Sequence, residues 1–126
     1  MQSYILDCEF DVTRRIGWTD DELGTHLDHF VEYLKQSSEV TGVDMTADLE
    51  NGRTAMTISF ASWEMHRDEH ARGTVAIAIR AAGGRHEGLL SLGEEARLKQ
   101  DGKGWSALRS PTWLLRRAEV SSEAES

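Results

Sequence analysis

Apolar and polar side chains alternate through the first dozen residues. Tyr4, Leu6, Cys8, Phe10 and Val12 fall on one parity and Ile5, Asp7, Glu9 and Asp11 on the other, the period of a strand with one buried face. The spacing then changes. Thr19 stands before Asp20, Asp21 and Glu22, so its hydroxyl can accept from the third helical N–H while Glu22 reaches back to the cap, with the acids at the positive end of the helix dipole. Leu23, Leu27, Phe30, Val31 and Leu34 recur every three or four residues, a stripe that must face a core. Trp18, just ahead of the cap, is placed to pack over the helix start.

Two further alternating runs, Val43, Met45, Ala47 and Leu49, then Met56, Ile58 and Phe60, flank Asn51-Gly52. That dipeptide accepts the positive φ values of a two-residue hairpin turn, so the runs are expected to pair antiparallel. From Asp68 to Gly84 two readings compete. As a helix the segment puts Ala71, Val75, Ile79 and Ala82 on one face and leaves Ile77 opposite; as a strand it alternates Val75, Ile77 and Ile79 with Ala76 and Ala78. Its alanine content and the Gly83-Gly84 stop favour helix. A short strand is expected from near His86 through Leu90 and Leu92, running on toward Ala96 and Leu98 past a bulge at Gly93, followed by a turn at Asp101-Gly102-Lys103-Gly104. Ser110-Pro111 reads as an N-cap with proline at the first helical position, introducing a helix with Trp113, Leu114 and Leu115.

The order β-α-β-β-α-β across residues 2–93 resembles the ferredoxin-like split βαβ sandwich, an α+β fold with an antiparallel sheet and two helices on one face. This likeness of pattern identifies no family, and the architecture hosts many unrelated functions. It implies a sandwich domain over residues 1–105, a C-terminal helical addition over 106–120 and a disordered acidic tail over 121–126.

Length and composition are consistent with this picture. A chain of 126 residues, 39% hydrophobic and 29% charged, suits one globular core. Cys8 is the lone cysteine and sits in the first apolar run, which suggests a small buried hydrophobe rather than a reactive thiol. No leader pattern or membrane-length apolar run is seen, so a cytoplasmic protein without a membrane partner is expected. The net charge of −8, with 22 acids against 14 Lys and Arg, opposes a nucleic-acid partner.

Candidate chemistry is sparse. His66-Arg67-Asp68-Glu69-His70 matches the H-x-x-E-H spacing of inverted zinc peptidases, making His66, Glu69 and His70 candidate metal ligands. Those enzymes also need a third ligand and a larger domain around the cleft, and ordinary solvated histidines are the simpler reading, as they are for His26 and His29. Asp7, Glu9 and Asp11 share a strand face, where a wet surface is the default; under another subunit they would need cationic partners. There is no Walker loop, Rossmann glycine pattern, nucleophile elbow or cysteine-histidine pair, and no cofactor is expected. Tryptophan is enriched at interface hot spots. Trp18, Trp63, Trp105 and Trp113, together with Ile77, Leu114 and Leu115, are therefore candidate interface residues.

The function expected from these features is a non-enzymatic protein-interaction module, self-associating through its open sheet face or C-terminal segment. An alternative is a small-molecule-binding protein or enzyme of the dimeric α/β-barrel type, with a pocket at the sheet face near Trp63 and His66. A third is an acidic inhibitor of a basic protein surface.

Overall fold

A computed structural model of the chain describes residues 2–62, 67–90, 93–94 and 104–117. The elements run β1 (Gln2–Arg14), α1 (Asp20–Gln36), β2 (Val40–Asp48), β3 (Arg53–Ser62), α2 (Arg67–Ala81), β4 (Gly84–Glu87) and β5 (Trp105–Arg117). They build an α+β sandwich. A five-stranded mixed sheet in the order β2-β3-β1-β5-β4 carries both helices on one face.

The buried parity of β1 is the predicted one. Leu6, Cys8, Phe10 and Val12 lie under the helices with Met56, Ile58 and Phe60 of β3. Onto them pack Leu23, Leu27, Phe30 and Leu34 of α1 and Ala71, Val75, Ala78 and Ile79 of α2. The helix start is the predicted capping box, with Thr19 accepting from the Glu22 N–H and Glu22 accepting from the Thr19 N–H. Residues 74–79 are helical, so Ile77 points away from the sheet and is 67% exposed.

The β2–β3 hairpin sits where Asn51-Gly52 predicts it, but β2 ends at Asp48 and the connection is four residues long rather than two. The Asp48 carboxylate accepts from the backbone N–H and the amide of Asn51 and so replaces the tighter turn. These bonds, the side-chain one first, hold the Asp48 carboxyl below its ordinary 3.8. A depressed carboxyl stabilises the fold above its unfolded pKa, and that contribution is lost as pH falls through the folded value. The Gly52 carbonyl, in a residue at φ +68°, accepts from the Val12 N–H at 2.6 Å, and a Cβ on Gly52 would lie 2.6 Å from the Val12 carbonyl oxygen.

The C-terminal third departs from expectation. No helix follows Ser110-Pro111; residues 105–117 form β5, which pairs antiparallel with β1 from Tyr4↔Arg117 to Arg14↔Trp105. Residues 106–117 of the expected helical addition are thus part of the sheet. Cys8 faces Trp113 while Phe10 faces Arg109, so residues 110–112 bulge opposite Glu9 alone. Pro111 has no N–H to give to a ladder, and a bulge is where a strand tolerates it. Ser110 does accept from the Thr112 N–H at 3.2 Å, a cap-like bond within a strand bulge.

This strand also changes the sheet order. In the split βαβ pattern the strand after α2 would lie beside β1. Here β5 holds that place, and β4, only Gly84–Glu87, is displaced to the edge, where it runs parallel to β5. Each ladder hydrogen bond nets about 0.5–1.5 kcal/mol, so a four-residue strand satisfies far less of the β1 edge than a thirteen-residue one. Leu90 follows β4 rather than forming part of it, and Leu92, Ala96, Leu98, residues 101–103 and the 121–126 tail lie outside the described residues. No described helix is long and apolar enough to cross a membrane.

Two glycines give opposite expectations. A Cβ on Gly84 would lie 2.5–2.9 Å from the indole ring of buried Trp105, whereas one on Gly73, inside α2, would meet nothing within 4 Å. Gly84→Ala is expected to destabilise by about 1–3 kcal/mol through overpacking, and Gly73→Ala to stabilise by about 0.5–1 kcal/mol through helix propensity. Urea unfolding of both variants checks the pair.

Candidate functional site

The end of α1, its connection to β2 and one side of α2 line a groove of about 450 Å³. The α1 end supplies Tyr33 and Gln36, the connection to β2 supplies Ser37, Ser38 and Glu39, and α2 supplies His70, Thr74, Ile77, Ala78 and Ala81. Helical spacing explains the α2 wall: residues 70, 74, 77, 78 and 81 recur at three and four and so share a stripe. Alanines at 78 and 81 keep the floor low, and Ile77 stands beside them with most of its surface in solvent. Tyr33, 40% exposed, forms the facing rim.

The polar groups of the groove gather at its α2 N-terminal end. His70 Nε2 contacts the Glu39 carboxylate, which can only accept if ionised, so Nε2 carries the proton. The Thr74 hydroxyl donates back to the His70 carbonyl at 2.9 Å, a bond within its own helix. Two candidates that the sequence offered separately, His70 as a metal ligand and Ile77 as an interface residue, therefore line one groove. Of the candidate metal ligands, His70 lines the groove. His70 is paired with Glu39, Glu69 is exposed, His66 lies outside the described residues, and no cluster of three or more His, Cys, Asp or Glu suited to a metal occurs among the described residues.

The remaining interface candidates scatter. Trp105 is not at the surface: it is 4% exposed, packs near Phe30 and donates its indole N–H to the Ala82 carbonyl at 3.1 Å. The same carbonyl accepts from His26 Nδ1 at 3.0 Å, which fixes that ring's tautomer, since a carbonyl cannot donate. Trp18 stacks on His26 with ring centroids 4.5 Å apart. Trp113 donates to Asp68 at 2.8 Å, tying β5 to the start of α2, and Arg109 lies over its ring. Leu115 packs partly against the core, and Trp63 lies outside the described residues.

Leu114 and Leu108 are exposed on the opposite, open face of the sheet. They share it with Asp7, Glu9 and Asp11 of β1, Asp44 and Asp48 of β2, and the cations Arg53 and Arg116, because these residues alternate with the buried set. Asp7 is tied on both sides, accepting from Thr57 Oγ1 at 2.9 Å and Arg116 Nε at 3.2 Å. That face is acidic after its internal pairing.

No protein-family model, no curated protein and no solved structure matches the chain.

Cys8, the one sulfur nucleophile in the sequence, is 2% exposed, and burial first, then the charge of Asp7, pushes its thiol up to about 12 against the opposing pull of Arg109. At pH 8 the thiolate fraction is negligible, and nucleophilicity requires thiolate. Cys8 in the folded protein is expected to resist a disulfide reagent at pH 8 and to react once urea unfolds the chain. Equal rates in both states would show that the β1 face is not closed.

Proposed function

We propose that the protein is a cytoplasmic, non-enzymatic interaction module that self-associates through the groove between α1 and α2. The observation that carries this reading is the exposure of Ile77, 67%, on the lip of a 450 Å³ apolar-floored groove. In a two-fold pair each copy would set its Ile77 against the other's groove, the self-complementary arrangement that such symmetry demands. Fully burying an isoleucine side chain is worth about 1.5–3 kcal/mol, and the two-fold counts it twice.

Charge favours this surface over the open sheet face. Face-to-face pairing of two sheets would bring Asp7, Glu9, Asp11, Asp44, Asp48 and Glu87 against their own copies, with Arg53, Arg85 and Arg116 as the smaller number of cations among the described residues to offset them. Opposed like charges at an interface cost several kcal/mol. The groove lining, by contrast, carries one carboxylate, Glu39, and that one is paired with His70.

A second reading uses the same groove for a small organic ligand. Its volume lies within the range of about 300–1,000 Å³ typical of ligand sites, and the Glu39–His70 pair and the Tyr33 hydroxyl are polar groups beside an apolar floor. The groove is on the helix side, so it lends nothing to a barrel-type pocket at the sheet face.

Light-scattering mass across a concentration series tests the proposal. The protein is expected to form a dimer that Ile77→Asp converts to monomer, with unchanged circular dichroism because the side chain is 67% exposed in the single chain. A wild-type monomer at all concentrations, or a dimer indifferent to the substitution, would overturn it.

A further inference from the structure

At the far end of β1 the chain gathers arginines in an otherwise acidic molecule. Thr13, Arg14, Arg15, Arg85, Gly104, Trp105 and Ser106 line a pocket of about 220 Å³. The sheet register explains the gathering. Thr13 pairs with Ser106 on β5, and Ser106 pairs with Arg85 on β4, so the three side chains form one row across three strands. Arg14 and Arg15 close the end of β1, and the Arg15 N–H donates to the Gly104 carbonyl at 2.7 Å, pinning that end to the start of β5.

The walls are stiff. Gly104 is buried because the Trp18 ring fills the space a side chain would need, and Gly84, beside Arg85, is likewise closed by Trp105. Sites framed by strands and packed aromatics hold their geometry better than sites on free loops.

The charges are uneven. Arg14 pairs with Asp20. Among the described residues no carboxylate pairs with Arg15 or Arg85, and the nearest acids along the strands, Asp11 and Glu87, sit one row away on the sheet, Asp11 facing Arg53. The hydroxyls of Thr13 and Ser106 hydrogen-bond to each other. Only one hydrogen is spent in that bond, so one O–H stays available to donate into the pocket. Guanidinium groups with a hydroxyl donor are the set that matches a tetrahedral oxyanion, since arginine's fork meets two oxygens at once.

From this arrangement we infer that the Arg14–Arg15–Arg85 pocket binds the phosphate group of a phosphomonoester. The anion bridges Arg15 and Arg85 and takes a hydroxyl hydrogen from the Thr13–Ser106 pair, while Arg14 is held in place by Asp20. A pocket below the usual size for an organic ligand suits a single phosphate group, and the net charge of −8 repels a polyanion. The site is at the strand ends, away from the helix groove, and does not depend on self-association.

Isothermal titration of the full chain with O-phosphoserine, inorganic phosphate and, as a control at equal ionic strength, chloride tests this. Saturable binding of O-phosphoserine is expected, with inorganic phosphate competing for the same site and chloride giving no heat. Arg85→Gln should weaken binding about tenfold or more, as expected when a charged hydrogen bond is lost, and Arg15→Gln with Arg85→Gln should abolish it. Both arginines are exposed, so the variants should keep the wild-type circular dichroism; a variant that does not is replaced by Arg85→Lys, expected to bind more weakly than wild type. The inference is overturned if no saturation is reached by about 10 mM, where even a site with Kd of about 1 mM would fill. Binding of inorganic phosphate without O-phosphoserine, or equal binding by wild type and the double variant, would overturn it too.

Discussion

β1 is the strand on which the rest of the molecule is assembled, because both of its edges are taken by long antiparallel partners. β3 pairs along it from Gln2↔Ser62 to Asp11↔Arg53, and β5 from Tyr4↔Arg117 to Arg14↔Trp105. With its backbone groups satisfied on both sides, its alternate side chains can do two separate jobs. Leu6, Cys8, Phe10 and Val12 form the middle of the core, while Asp7, Glu9 and Asp11 set the acidic character of the open face. Displacing β5 from β1 would expose the Cys8 side and separate Thr13 from Ser106, so core and anion pocket depend on the same register.

The second organising contact is the Ala82 carbonyl at the end of α2. It receives N–H groups from His26 of α1 and Trp105 of β5, so one acceptor joins both helices to the sheet. Gly83, at φ +81°, turns the chain out of the helix at that point, and Gly84 makes room for the indole. Fixing both helices at this end, near His26, leaves their separation at the other end of α1 to be set by the connection to β2, and there the groove with Ile77 and Tyr33 opens.

The first ninety residues were largely legible because their signals are local: the alternation of β1, the capping box at Thr19, and the three-and-four spacing that makes Ile77 stand outside α2. The C-terminal strand was not. Trp105, Ala107, Trp113 and Leu115 do keep one parity, but Ser110-Pro111-Thr112 interrupts the run with a motif that is also a helix start, and only pairing with Cys8 and Phe10 decides that it is a bulge. Arg85 and Ser106 of the strand-end pocket become neighbours only through the parallel β4–β5 pairing, which no local motif encodes. The groove was half visible: His70 and Ile77 were each singled out, but their union with Glu39 and Tyr33 depends on how two helices cross.

Interaction through the helix side and anion binding at the strand ends would leave the acidic sheet face to keep copies from stacking. The strand-end pocket exists only if β5, rather than β4, lies against β1. Cross-strand proton contacts measured by nuclear Overhauser effects decide this directly, since antiparallel partners bring Cα atoms to about 4.5–5.5 Å. The account predicts contacts between Cys8 and Trp113, Leu6 and Leu115, and Val12 and Ala107. Contacts from β1 to His86 in their place, or sequential helical amide contacts through residues 110–115, would contradict it.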